Sequence, residues 1–287
     1  MWTLPSDYIQ LTKPTIMLLV MFTGATALVA EGSMLSQPGR FALVMAALYL
    51  TGGCANALNQ YFEREIDAKM KRTANRRPLP MERISASHAL IFSIVIGVIG
   101  VAIFAIYFNW LSAALSVATI LFYSLFYTLW LKPNTVQNIV IGGVAGAMAP
   151  VGAWAAATGG TAVLPWLMFL IVFLWTPPHF WALALFCKDD YVRAQLPMMP
   201  VIKGDLSTLR QIVVYSFIVV AASLVVIFYG GGWLYGIAAS VLGAWFIVKA
   251  IDALRRQNEK TARGLFGYSI VYLFALFTAI IIDSLIS

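Results

Sequence analysis

The chain has 287 residues, 61% of them hydrophobic and only 11% charged, with a mean hydropathy of +0.84 and a formal net charge of +7. This composition excludes a soluble globular domain and marks a polytopic membrane protein. The apolar stretches are continuous rather than alternating, which excludes a membrane β-barrel, and the positive charge requires no nucleic acid, because topology and an anionic inner leaflet account for it.

A hydrocarbon core of about 30 Å needs roughly 20 apolar residues per helix. Nine stretches qualify: 15–33, 41–62, 88–108, 111–131, 136–157, 163–187, 210–230, 233–252 and 265–286. Basic residues fall at the start of the first and after the second, fourth, sixth and eighth, so 18 of the 19 lie on one side and Arg40 stands alone on the other. Short cytoplasmic loops retain Lys and Arg. The expected fold is therefore an all-α membrane protein, a bundle of nine transmembrane helices with the N-terminus cytoplasmic and the C-terminus outside, forming one polytopic domain over 1–287. The N-terminal residues show neither a cleavable signal nor a transit pattern, which points to a bacterial inner membrane. Cys54 and Cys187 lack metal-site spacing and read as small apolar residues. The glycines of IGGVAGAMAPVGAW permit close helix packing.

The external connections FNWLS, ATGGTAVLP and YGGGW carry nothing reactive. By contrast EREIDAKMKRTANRRPLPMER and KDDYVRAQLPMMPVIKGD, after the second and sixth spans, are long, charged and alike in layout. Each passes from carboxylates through basic residues to prolines (Pro78 and Pro80; Pro197 and Pro200). A pseudo-repeat of four spans would bring these loops, at about 63–87 and 188–209, together over one cavity.

Asn59, Glu63 and Asp67 stand four residues apart, on one helix face over about 12 Å. Carboxylates at a helix C-terminus meet the negative end of its dipole and need a compensating cation. Amide and carboxylate oxygens suit Mg²⁺, which shares its shell with substrate phosphates. Asp189 and Asp190 would form a second acidic wall. Arg72, Arg76, Arg77, Lys188 and Arg193 supply cations for the outer oxygens of a diphosphate. A mixed-charge helix end also fits a plain solvated juxtamembrane face. The matching cluster in the other loop weighs for an isoprenyl diphosphate site, its head held by metal and its tail in the membrane.

Asn59, Glu63 and Asp67 are similar to the first signature of the UbiA superfamily of intramembrane prenyltransferases. The stretches YIQLTKPTIMLLV, NALNQYFEREIDAKMKRTANRRPLP and WTPPHFWALALFCKDDYVRAQLPMMP resemble, within it, the protoheme IX farnesyltransferase family, in order along nearly the whole chain. The resemblance implies a nine-helix bundle, Mg²⁺, farnesyl diphosphate and haem b, with haem O made by attaching a hydroxyethylfarnesyl group at a vinyl position. The expected metal ligands are Asn59, Glu63, Asp67 and Asp190. Arg72, Arg76 and Lys188 join them in catalysis, and Arg77, Asp189 and Arg193 bind substrate. One departure stands out. Other members space two Asp four apart in the second motif, whereas here Phe186 precedes Asp190 by four, so the number of ions stays open.

His179, in TPPHFWALALF, also resembles a family functional position, a haem contact. It lies about 16 Å along a helix from Asp190, on one side of a distortion expected at Pro177 and Pro178. An imidazole at that depth needs a partner or a ligand, and both a structural hydrogen bond and a haem iron fit. His88, beside Ser85 and Ser87, reads as interfacial. The rival functions are a prenyltransferase for an aromatic quinone precursor, a secondary transporter and a haem-binding assembly factor. Transporters favour ionisable groups near the midplane, whereas 10 of the 12 acidic residues here gather on the cytoplasmic side. An assembly factor leaves the acidic motif unexplained. Association with a haem A synthase or a terminal-oxidase assembly stays open.

Overall fold

The computed structural model describes residues 5–286. Among them nine helices are long and apolar enough to cross a membrane: α1 (Pro14–Glu31), α2 (Pro38–Lys69), α3 (Ala86–Tyr107), α4 (Trp110–Asn134), α5 (Asn138–Thr158), α6 (Val163–Phe186), α7 (Asp205–Tyr229), α8 (Trp233–Arg256) and α9 (Glu259–Ile286). No strand occurs among the described residues. The chain is a multi-pass, all-α membrane protein. Short helices at Pro5–Leu11, Lys71–Ala74, Lys188–Arg193 and Met199–Ile202 all lie at the end of the bundle where α2 and α6 finish.

Local chemistry sets the helix ends. Pro14 and Pro38 open α1 and α2, where the missing N–H has no intrahelical acceptor to lose. Ser85 caps α3 by accepting from the His88 N–H at 3.3 Å. Asn109 accepts from the Ser112 N–H at 2.9 Å and donates to the Ala155 carbonyl at 2.7 Å, so one side chain caps α4 and ties it to α5. Asn258 caps α9 through the Thr261 N–H at 2.9 Å, and Asp283 accepts from the Gly232 N–H just ahead of α8.

Successive helices pack pairwise and α9 returns against α1, closing a ring, while α1 also touches α5 and α6 touches α9. The outer surface is apolar, as lipid requires: on α3, Ile94, Val98 and Ile106 point out while Ser93, Gly97, Gly100 and Phe104 are buried. Lipid tails are as apolar as the side chains, so close packing must hold the helices together. Gly97 backs onto Cys54, where an added Cβ would lie 2.6 Å from Sγ. Cys54 is a small packing residue here.

Several helices depart from the apolar stretches. α2 runs on to Lys69, and α7 and α9 begin at Asp205 and Glu259, earlier than their apolar residues. Hydropathy reports where the chain crosses hydrocarbon, whereas a helix continues as long as its polar side chains find partners, as Glu259 and Arg263 do at 2.5 Å. α6 stays helical through Pro177 and Pro178 instead of breaking there. α4 is α-helical over Trp110–Leu121 and again over Lys132–Asn134, and Phe122–Leu131 between them is a π-helix.

The π segment needs a glycine opposite it. Tyr123 and Tyr127 stack within it at 5.2 Å, and a Cβ on Gly142 of α5 would lie 2.4 Å from the Tyr127 ring. Gly142→Ala should therefore destabilise the protein by about 1–3 kcal/mol through overpacking, read as a lower Tm in detergent. Gly146→Ala, on the same helix with open space around it, should leave the Tm unchanged or slightly higher. Equal effects of the two substitutions would disprove the packing role.

Candidate active site

α2 and α4 run in the same direction, and their side chains meet rung by rung. Asn59 Nδ2 donates to Thr128 Oγ1 at 3.0 Å, and Lys132 Nζ donates to Glu63 Oε1 at 2.5 Å, both pairs separated by 69 residues. The Thr128 hydroxyl in turn donates to the Tyr123 carbonyl five residues back, at 2.7 Å, within the π turn. π turns recur at functional sites. Here the wider turn places Thr128 and Lys132 against the stripe on α2.

Two further cations close the cluster. Lys13 Nζ donates to Asn59 Oδ1 at 2.5 Å. Arg77 contacts Asp67 directly and lies 3.9 Å from Glu63 Oε2. Glu63 and Asp67 are only 2% and 0% exposed, so without these partners each would be a buried charge costing several kcal/mol. Three basic side chains surround two carboxylates. Burial, and then the neighbouring charges of Arg77 and Lys132, hold the Lys13 ammonium well below the usual lysine range.

Lys13 occupies the left-handed region (φ 53°), uncommon for a residue with a Cβ. The residues before it hold it there. Gln60 Nε2 donates to the carbonyls of Gln10 and Leu11 at 2.9 and 3.0 Å, and Arg83 pairs with Asp7 at 3.0 Å. Backbone strain of this kind clusters at functional sites.

The two charged loops meet at Asp190. Its Oδ1 accepts from the Lys71 N–H at 3.1 Å and from Arg193 at 2.5 Å, and its Oδ2 accepts from the Arg72 N–H at 3.2 Å. The Arg72 guanidinium also lies 6.0 Å over the Tyr191 ring. Burial alone would raise the Asp190 carboxyl, but the hydrogen bonds from Arg193, Arg72 and Lys71 outweigh it and hold the group below the usual carboxylate range. Asp190, expected as a metal ligand, is here a clasp between the loops.

Other expected residues fall differently. Lys188 pairs with Asp205 at 2.7 Å. With Asp189 it lines a polar cleft of about 340 Å³, shared with Gln257, Asn258 and Glu259 and with no residue of the α2 stripe. Arg76 and Arg193 are exposed at the rim. Phe186 lies under the Arg263 guanidinium at 4.4 Å and against Phe266 at 5.7 Å.

His179 is buried between two rings, Trp175 at 4.2 Å and Phe266 at 4.5 Å. Its Nδ1 lies 2.7 Å from Ser269 Oγ, and that hydroxyl donates to the Phe266 carbonyl at 2.6 Å. The serine can then only accept from the imidazole. The proton is thereby assigned to Nδ1, leaving the Nε2 lone pair for another partner.

Lys13, Lys132 and Thr128 escaped the sequence reading as site residues. The two lysines counted only toward topology, yet each directly precedes a proline, in TKPT and LKPN, at the site end of a span. That shared Lys-Pro step was the available signal. Nothing local singles out Thr128.

The model of the UbiA prenyltransferase family matches residues 18–279. A protoheme IX farnesyltransferase of Erythrobacter litoralis is 48% identical over 96% of this chain and 92% of its own length. One from Picosynechococcus sp. is 42% identical over 99% of this chain and 90% of its own. Among solved structures, a UbiA homologue from Aeropyrum pernix K1 superposes with a TM-score of 0.74 at 18% identity, covering 94% of this chain and 98% of that one. A UbiA homologue from Archaeoglobus fulgidus bound to DMAPP and Mg²⁺ gives 0.68 at 15% identity, covering 96% and 99%. Extensive identity to the former and a common fold with the latter lead to one conclusion: the chain belongs to the UbiA prenyltransferase family, among its protoheme IX farnesyltransferases.

Proposed function

We propose that the protein transfers the farnesyl group of farnesyl diphosphate to a vinyl group of haem b, with addition of water, giving haem O and diphosphate. The observation that carries this reading is the buried group of Glu63 and Asp67 with Lys13, Arg77 and Lys132, at one end of an apolar bundle, in a chain whose relatives bear that activity in their names.

The α2 stripe fits a metal. Glu63 Oε2 and Asp67 Oδ1 are buried and accept no hydrogen bond. With the Asn59 amide oxygen they are hard donors, and two carboxylates plus substrate phosphates are a usual Mg²⁺ environment. Asn59, Glu63 and Asp67 would hold the ion, which supplies charge neutralisation to the diphosphate. The Archaeoglobus homologue bound to DMAPP and Mg²⁺ supports this reading.

Lys13, Arg77 and Lys132 bind and orient the diphosphate from within, and Arg72, Arg76 and Arg193 approach it from the rim. The bond between the farnesyl C1 and its bridging oxygen breaks, and the electron pair leaves with the diphosphate, where these cations stabilise it. The vinyl π electrons form the new bond to C1. The carbon next to the porphyrin ring, now cationic, takes water, which then loses a proton. Apolar walls hold the two substrates together and keep water from the allylic carbon until the C–C bond has formed.

His179 is read as the haem contact. Its Nε2 lone pair and its clamp between Trp175 and Phe266 resemble the orienting hydrogen bond that usually fixes an axial imidazole. Eighteen of 19 Lys and Arg residues lie at the site end, which supports a cytoplasmic site, an outward C-terminus and, in a bacterium, the inner membrane. We read residues 1–287 as one domain, with farnesyl diphosphate, haem b and the bilayer as partners. A haem A synthase or a terminal oxidase that takes up the product is the expected neighbour.

In membranes given haem b, farnesyl diphosphate and Mg²⁺, mass spectrometry of extracted haem should show a farnesyl-plus-water gain that EDTA abolishes and added Mg²⁺ restores. Asp67→Ala and the gentler Asp67→Asn should lose that product at normal protein level. Product formation by both variants would refute the site, and haem unchanged by the wild type would direct the search to aromatic acceptors. Lys132→Met should lower kcat/KM for farnesyl diphosphate by about 100-fold, since it leaves Glu63 without its closest counter-charge. His179→Ala should raise the KM for haem and leave that for farnesyl diphosphate in place; the reverse pattern would remove His179 from the haem site.

A further inference from the structure

We infer that the site takes one divalent cation, held by the α2 stripe, and that Asp190 is a positioning residue whose own side of the site is closed to a second ion. The inference rests on the diphosphate-transfer reading above, and the two walls of the site carry it because they differ. On α2, Glu63 Oε2 and Asp67 Oδ1 accept no hydrogen bond. On the facing wall both oxygens of Asp190 accept N–H donors, from Lys71, Arg72 and Arg193 at 3.1, 3.2 and 2.5 Å.

Lys71 and Arg72 open the short helix Lys71–Ala74, so their amides have no intrahelical acceptors. Turning Asp190 toward a metal would leave both amides unpartnered at an 8% exposed carboxylate. Phe186, one turn earlier, brings no carboxylate, and its ring lies under the Arg263 guanidinium at 4.4 Å. Asp189 is exposed and faces the other cleft. The work of a second ion, countercharge on that side of a diphosphate, falls instead to Arg72 and Arg193, whose places depend on Asp190.

The test is equilibrium dialysis of the full-length protein in detergent against Mn²⁺ and inorganic diphosphate, neither of which requires haem. One Mn²⁺ should bind per wild-type chain and none per Asp67→Asn chain. Asp190→Asn should retain one, with affinity within about threefold of the wild type. Hydrogen exchange of the residue 71 and 72 amides should then accelerate about tenfold or more, as expected when a charge-assisted bond is weakened. The KM for farnesyl diphosphate should rise while kcat holds. Two ions on the wild-type chain, or loss of the ion in Asp190→Asn, would overturn the inference and leave the transferase reading intact. No diphosphate-dependent Mn²⁺ on the wild type would overturn the transferase reading itself.

Discussion

Glu63 and Asp67 are carboxylates sealed inside a membrane bundle, and the rest of the site is arranged around neutralising them. Neither helix nor lipid can do so. The cations come from three separate places: Lys13 ahead of α1, Arg77 in the loop after α2, and Lys132 at the end of α4. Each carboxylate therefore fixes the relative position of distant parts of the chain. Taking such charges out of water costs several kcal/mol apiece unless the geometry is good, so the cluster penalises every arrangement in which α1, α2 and α4 do not converge.

Other irregularities follow from the same demand. The π turn of α4 allows Thr128 and Lys132 to meet Asn59 and Glu63, and Gly142 makes room for the Tyr127 ring. The left-handed Lys13 ends the N-terminal helix so that its ammonium enters the cluster. Asp190 then ties the second loop to the first by accepting the amides that begin the helix after α2. The cations gather at one end of the closed ring of helices. His179 sits deeper, on α6, with its protonated nitrogen anchored to α9 and its other nitrogen left unprotonated.

Nine crossings, an all-helical fold and the stripe on α2 were legible in the sequence because each depends on local periodicity: about 20 apolar residues per span, and four-residue steps along one helix. The contact between the two charged loops was legible only as a layout of carboxylates, bases and prolines. Its agent, Asp190 on the amides of Lys71 and Arg72, is a long-range backbone interaction that no spacing reveals. Lys13 and Lys132 were visible as Lys-Pro steps but were absorbed by the charge rule for loops, since each lies far in sequence from the carboxylate it serves. Lys188 is a different case. Its proximity to Asp190 in sequence suggested the diphosphate, while the fold turns it toward Asp205.

The sequence by itself determined how many times the chain crosses the membrane, which end is basic, and that one helix carries Asn59, Glu63 and Asp67 on a single face. These are properties of short windows, set by hydrocarbon thickness and helix pitch. Tertiary structure alone decided which cations meet those carboxylates, that α4 unwinds into a π turn to deliver two of its side chains, that Asp190 clasps a loop, and which nitrogen of His179 holds the proton. Each of these depends on groups brought together from helices far apart in the chain, where burial makes an unpartnered charge or amide too costly to leave.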